Sequence, residues 1–245
     1  MEARLYVVHG SHPCATVARA LELKGIPYRI VEFPPPFQGP FQRVLFGART
    51  VPGLKLDGEK VQGSRTILRR LDELRPDPPL HPADPEARAQ VEEAERWGDE
   101  VLQPLARRLL LAALRRRPAA MVSYSEHSKL GLPPVAVRAS APFISWAAAK
   151  INAVSDDATQ ADLGALPGAL DKVDAWIADG MLGGEAPNAA DLQIGSSIRL
   201  MLTVADLRPL IEGRPVGELA VRVFPPFDGD MPAGTYPADW LPAAA

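Results

Sequence analysis

The sequence predicts an α/β N-terminal domain followed by an all-α C-terminal domain. Over the first 75 residues, short aliphatic and β-branched runs alternate with amphipathic segments of helical period. After residue 85 the pattern changes to long helical stretches. Between the two lie five prolines within residues 75–85, a composition that breaks both kinds of element. The expected boundaries are 1–76 for the α/β domain, 77–85 for the linker and 86–245 for the helical domain.

Residues 4–8 form an apolar strand with the β-branched pair Val7 and Val8, ended by the glycine, serine and proline of residues 9–13. Val17, Ala18, Ala20 and Leu21 then give a helical stripe over residues 14–24, stopped by Gly25 and Pro27. Residues 28–33 read as a second strand, residues 34–40 as a proline-rich loop, and residues 41–46 as a turn or short helix. Two further strands around 54–56 and 60–62 are joined by the turn Asp57-Gly58. Ser64 is the expected N-cap of a helix whose apolar positions are Ile67, Leu68, Leu71 and Leu74. A crossover helix makes the first two strands parallel, and the last two form a hairpin.

In the second half, Pro85 opens a helix through Val91, Ala94, Trp97, Val101 and Leu105, with a bend expected at Pro104. Further helices are expected over 142–154, 163–178 and 188–203, the last with Asn188 as cap and Asp191 in the capping-box position. Residues 214–245 are rich in proline and glycine and are expected to wrap the surface as a tail. Trp97, Phe143, Trp146 and Trp176 stand at helical spacing and are expected in the core, with some lining a pocket between the domains. Tyr236 and Trp240 either close that pocket or pack.

The 245 residues are 47 % hydrophobic and 23 % charged, enough apolar material for a core without disulfides or a structural metal. The net charge of −3 and the lack of any basic run longer than the three arginines at 115–117 argue against a nucleic-acid partner. A single cysteine, Cys14, fits a reducing compartment. No basic segment followed by an apolar one opens the chain, and the aliphatic run 109–114 is too short to span a bilayer. A cytoplasmic protein with no membrane partner is therefore expected. The four histidines include no pair at metal-ligand spacing, so no metal site is expected.

Three short segments carry candidate chemistry: Ser11-His12-Pro13-Cys14 where the first strand turns into the first helix, Val51-Pro52 ahead of the hairpin, and Gly63-Ser64 at the last helix of the small domain. A helix N-terminus presents free N–H groups and partial positive charge, and so favours a thiolate or carboxylate. Lowering a thiol pKa from ~8.5 to ~6.5 takes about 2.7 kcal/mol. A hydrogen bond to a charged acceptor supplies roughly 1.5–3 kcal/mol, and the helix end about 0.3–1 kcal/mol. A serine hydroxyl at such a position just suffices. Ser11 and Ser64 taken singly fit simple capping as well. A cis bond at Pro52 would let Val51 pair with an extended peptide, although only about 5–6 % of such bonds are cis. Cys14 is either a reactive thiol or a small buried residue, and His9 and His12 either acid–base groups or structural.

The segments Gly10-Ser11-His12-Pro13-Cys14, Arg19 through Tyr28, Val51-Pro52-Gly53-Leu54 and Gly63-Ser64-Arg65-Thr66-Ile67-Leu68 resemble the opening domain of the glutathione transferase superfamily. The capping-box helix at Pro187-Asn188-Ala189-Ala190-Asp191-Leu192 resembles the family's core helix. The likeness is to serine- or cysteine-type members, nearest to unclassified bacterial ones. It implies a thioredoxin-like domain ahead of a helical bundle, a homodimer, and glutathione (or another low-molecular-weight thiol) as cosubstrate. By the same likeness, the Val51 backbone, Pro52, Gly63 and Ser64 hold glutathione, Ser11 lies beside its sulfur as the catalytic residue, and Cys14 and His12 are possible catalytic or redox groups. The implied reaction is attack of the activated thiol on a small apolar electrophile. The family pattern has an acidic residue where this chain has Gly63, which leaves open a transferase fold kept for binding without catalysis. Cys14-dependent redox or lyase-type chemistry is the third reading.

Overall fold

A computed structural model describes residues 2–35 and 37–243. The first domain runs β1 (Ala3–Val7), α1 (His12–Leu23), β2 (Tyr28–Glu32), α2 (Gln38–Phe46), β3 (Gly53–Leu56), β4 (Glu59–Gln62) and α3 (Ser64–Leu74). The sheet order is β2-β1-β3-β4, with β1 and β2 parallel and the other pairs antiparallel. Leu5, Leu54, Val17, Leu21, Ile67, Leu68 and Leu71 are buried between the sheet and the helices α1 and α3. The other face carries an aromatic cluster, Tyr6 with Phe33 and Phe46, whose rings lie 6.0 and 5.2 Å away. Tyr6 thus stands on the side of the strand away from α1, as its alternation with Leu5 and Val7 requires.

The second domain opens with α4 (Pro85–Trp97), capped by Asp84, whose side chain accepts from Ala87 N–H. A π-helical turn, Gly98–Leu102, leads directly into α5 (Gln103–Arg116). The bend expected at Pro104 is therefore taken up one turn earlier: Gln103 N–H bonds to Gly98 C=O, five residues back. Pro104 has no N–H to give, and widening the preceding turn accommodates its ring. Gly98 also lets another helix approach, because a Cβ there would lie 2.9 Å from Ile194. That helix is α8 of the remaining set: α6 (Pro134–Ile151), α7 (Asp156–Ala178), α8 (Ala189–Met201), α9 (Arg208–Ile211) and α10 (Pro215–Val223). A 3₁₀ segment, Pro118–Ser125, links α5 towards α6.

α8 is the buried axis of the molecule, with twelve of its residues out of solvent. Its capping box is complete: the Asn188 side chain accepts from Asp191 N–H, and Asp191 accepts from Asn188 N–H. It meets the first domain through Thr16, whose hydroxyl lies 2.8 Å from that of Ser196.

Three expectations need correcting, and one left open is decided. α6 and α7 begin earlier than the sequence indicated, at Pro134 and Asp156 rather than at residues 142 and 163, and Pro142 lies inside α6. The stretch after 214 begins with a helix, α10, packed on α8, and only then becomes an extended tail. Phe143 and Trp146 are 57 % and 54 % exposed, so they are surface and not core, whereas Trp97 and Trp176 pack edge to face at 5.2 Å. Tyr236 is buried with its hydroxyl donating to Leu109 C=O at 2.7 Å, and Trp240 lies against the Arg116 guanidinium, so both pack. Among the described residues no helix is long and apolar enough to cross a membrane, and no group of three His, Cys, Asp or Glu stands ready to hold a metal ion.

Candidate active site

A cleft of about 1230 Å³ opens between the two domains, and the three chemistry-bearing segments line it together. Ser11 is the N-cap residue of α1 in extended conformation, yet its hydroxyl caps nothing. The helix start is closed instead through the Ser11 carbonyl, which accepts from Cys14 and Ala15 N–H at 3.0 and 3.1 Å. The hydroxyl is thus left for the cleft or for the Cys14 thiol, with which it is in hydrogen-bonding reach.

Val51-Pro52 is a cis peptide. Gly63 N–H donates to Pro52 C=O at 3.0 Å, and Gln62 Nε2 donates to Thr50 C=O and Oγ1 at 3.2 and 2.8 Å. These bonds bring residues 50–52 alongside the start of α3. Neither backbone group of Val51 has a hydrogen-bond partner among the described residues, so an extended peptide in the cleft finds one donor and one acceptor there.

At the start of α3 the structure revises the sequence reading. Gly63, at φ +87°, is the cap residue, and Ser64 is the first helical residue, nearly buried with no capping bond. A φ of +87° favours glycine over any side chain, including the acidic one of the family pattern. The free N–H groups of the first turn, from Ser64 to Thr66, line the cleft with Arg65 and Arg69. Both arginines are held from behind by Glu95, which is fully buried and 3.7 and 3.3 Å from them.

Cys14 and His12 are placed differently. Cys14 is 4 % exposed and absent from the cleft lining. Burial pushes its thiol up to about 12, against hydrogen bonds from Ser11 and the Val8 main chain that pull it down. A thiol in that state is protonated and unreactive at neutral pH. His12 does line the cleft but is 3 % exposed. Burial, reinforced by the nearby Arg107 charge, lowers its pKa to about 3, so the ring is neutral. Its Nε2 has no partner.

Comparisons with known proteins bear on the fold. Residues 5–79 match the family model of the glutathione S-transferase N-terminal domain. That match covers the N-terminal third of the chain. Within that third, the rat (Rattus norvegicus) maleylacetoacetate isomerase is 44 % identical over 78 residues, and the mouse (Mus musculus) enzyme of the same name 40 % over 82. Each match spans 29 % of this chain and 36 % of the relative's length.

Solved transferases show that the whole chain has the glutathione transferase fold. A Tau class glutathione S-transferase from mango, Mangifera indica, is 14 % identical with a TM-score of 0.60, over 99 % of this chain and 93 % of that one. A glutathione S-transferase from Rhodospirillum rubrum is 20 % identical at 0.60, over 97 % and 99 %. A theta class enzyme from Xanthomonas axonopodis, solved with glutathione bound, is 18 % identical at 0.53, over 80 % and 81 %.

Among the cleft residues that escaped the sequence reading are Asp99, Gln103 and Arg107. They recur every four residues, one polar stripe on the side of the π turn and α5 that faces the cleft. That spacing was the available signal.

Proposed function

We propose that the cleft binds glutathione, or a closely related thiol peptide, and that Ser11 holds its sulfur as thiolate for attack on a small electrophile in the apolar half of the cleft. The observation that carries this is the convergence of the uncapping Ser11 hydroxyl, the unpaired Val51 backbone and the free N-terminus of α3 on one groove. Charge supports it too. Glutathione carries two carboxylates and one ammonium group. Arg65, Arg69 and the N–H groups of α3 suit a carboxylate, and Asp99 offers an acceptor where Gly63 brings none. The electrophile would lie against Leu110, Leu111, Leu114 and Ile144. Catalysis then consists of lowering the thiol pKa and holding the two reactants together.

A single titration tests the reading. Calorimetry with glutathione is expected to show saturable heat, and ligand at a hundred times Kd is expected to stabilise the fold by about 2.7 kcal/mol. No heat and no thermal shift at millimolar glutathione would exclude a glutathione site. The second reading, a transferase fold that binds without catalysing, draws on Gly63 and is favoured if glutathione binds but no electrophile turns over. The burial of Cys14 leaves the redox and lyase readings without an accessible thiolate. Homodimerisation and a cytoplasmic location belong to the same proposal, and light scattering on the purified protein tests the first.

A further inference from the structure

Arg107 of α5 lines the cleft together with Leu110, Leu111 and Leu114 of the same helix, and among the described residues its hydrogen-bond partners are neutral. Its guanidinium donates to Asn152 Oδ1 at 3.3 Å and to Gln103 Oε1. Asp99 is the carboxylate closest in electrostatic effect, but no hydrogen bond joins the two among the described residues, and Asp99 Oδ1 accepts from Gln193 Nε2 at 3.2 Å. A half-buried guanidinium is best satisfied by a carboxylate in bidentate fashion, as Arg108 is one position on, with Asp162 at 2.7 and 2.6 Å. Burial lowers the pKa of Arg107, and Asp99 only partly offsets it. Among the polar atoms without a partner in residues lining the same cleft are Ser145 Oγ on α6, in a residue 1 % exposed, and His12 Nε2. Buried donors without acceptors are costly unless a ligand completes them.

We infer that Arg107 is a specificity-determining residue of the apolar half of the cleft, and that the electrophile this half accepts carries a carboxylate, which Arg107 binds with help from Ser145. The leucines of α5 cover the body of such a molecule while its acid group ends on Arg107. The inference rests on the thiol reading above for its chemistry but not for its binding. A neutral electrophile of the same shape would leave Arg107 desolvated and still unpaired, which sets the direction of selectivity.

The test compares 4-chloro-3-nitrobenzoate with its methyl ester, glutathione being the nucleophile. In both, the sulfur–carbon bond forms at the chlorine-bearing carbon, the carbon–chlorine bond breaks, and chloride leaves with the bonding pair. The thiol proton has already passed to solvent. With each kcat/KM divided by its uncatalysed rate constant, the acid is expected to exceed the ester at least about tenfold, the low end for a charge-assisted hydrogen bond. Arg107→Met is expected to cut that ratio at least about tenfold, and Arg107→Lys less. Arg108→Gln leaves the ratio as it is. A wild-type ratio near or below one, or a ratio that Arg107→Met does not change, overturns the inference.

Binding separates this from the thiol reading. In the absence of thiol, 4-methyl-3-nitrobenzoate, which has no leaving group, is expected to bind the wild type at least about tenfold tighter than Arg107→Met. If it does so while neither substrate turns over, the thiol reading fails and the acid site stands. If both substrates turn over but this binding ignores Arg107, the acid site fails alone. Should Arg107→Met prove unfolded by circular dichroism, the same two measurements on Arg107→Lys and Arg107→Gln decide.

Discussion

Nδ1 of His81 lies 2.7 Å from Oδ2 of Asp72, and this pair locks the proline-rich connector onto α3. The same carboxylate accepts from the main-chain N–H of Leu80 and His81 at 2.9 Å each, and from Lys24 Nζ at 2.5 Å. Lys24, itself buried, also donates to the carbonyls of Arg75 and Pro78 at 2.6 and 2.5 Å. Asp72 therefore neutralises two cationic groups and two buried N–H groups at once. Asp72→Ala is expected to cost about 3–5 kcal/mol, the range for stripping the partner from a buried charge. The shift of the urea midpoint at constant slope measures it, and a loss below about 1 kcal/mol would mean that the network is solvated.

The same cluster makes stability depend on pH. Burial opposes charge on His81, but Asp72 on one side and Glu95 on the other overcome it and raise its pKa to about 9. Between ~6.5 and about 9 the folded state thus holds a proton that the unfolded chain releases, so stability falls as pH rises through that window. The contribution is complete below ~6.5 and amounts to at most about 3 kcal/mol. Asp72 works in the opposite direction. Burial raises its pKa, but His81 and Lys24 prevail and bring it to about 2, so its share is lost as pH falls from ~4 towards 2. Thermal unfolding at pH 6.5 and pH 9.5 should give the higher midpoint at 6.5, and His81→Asn should remove most of the difference. An unchanged difference in the variant would assign it to other groups.

Ser11 is expected to act on the thiol pKa rather than on thiol affinity. Losing one hydrogen bond to a thiolate costs roughly 1.5–3 kcal/mol, so Ser11→Ala should raise the pKa of bound glutathione by about 1–2 units. At neutral pH kcat/KM then falls about 10–100-fold, the rate profile moves to alkaline pH, and the Kd for glutathione stays within a few-fold. Ser11→Thr keeps the hydroxyl and should restore part of the rate. Ultraviolet absorbance of the bound thiolate against pH reads the shift directly, and a profile that does not move would remove Ser11 from this role.

Why one half of the chain was legible and the other less so has a physical reason. In the first domain every element is short and bounded by residues with a single structural meaning, such as Gly25 and Pro27 after α1 or Asp57-Gly58 in the hairpin. In the helical half, Pro142 looks like a helix start and is interior, because neighbouring contacts of α6 outweigh the lost N–H bond. Gly63 and Ser64 exchanged roles because serine is the commoner cap, while only the backbone angle reveals that glycine holds that position. The convergence of Ser11, Val51 and Ser64 was readable only because the strand order forces it. Lys24, Asp72 and His81 were not readable at all, since each belongs to a type that is ordinarily exposed and their partners lie far away in sequence.

Cys14 should behave as a buried thiol. With burial pushing it up to about 12, its thiolate fraction at pH 7.5 is on the order of a thousandfold below that of a free cysteine. Iodoacetamide labelling of the folded protein is therefore expected to be slower than that of the urea-unfolded protein by at least this order, followed by mass spectrometry. Comparable rates in both states would show that the α1 start opens readily and would revive a chemical role for the thiol.

The tail reaches the site through Asp228. Its Oδ2 lies 2.9 Å from His9 Nε2, in the loop that carries Ser11, and its Oδ1 lies 2.7 Å from His127 Nδ1 beyond the 3₁₀ segment. The same mouth is fastened on its other side by Glu32, which accepts from Ser128 Oγ and Lys129 N–H at 2.5 and 2.7 Å. Asp228 thereby joins three segments at the rim of the cleft, but at a partly open position where ion pairs add little to global stability. Its removal should act locally: Asp228→Ala is expected to leave the urea midpoint nearly unchanged while lowering kcat/KM several-fold through the freed Ser11 loop. The hydrogen bond and charge of Asp228 raise the pKa of His127, so that contact is strongest at low pH and fades as pH rises through the raised value. The wild-type advantage over the variant should accordingly be larger at pH 6 than at pH 8.5. Hydrogen exchange of residues 8–11 in both proteins checks the mechanism, and equal protection would mean that Asp228 does not hold that loop.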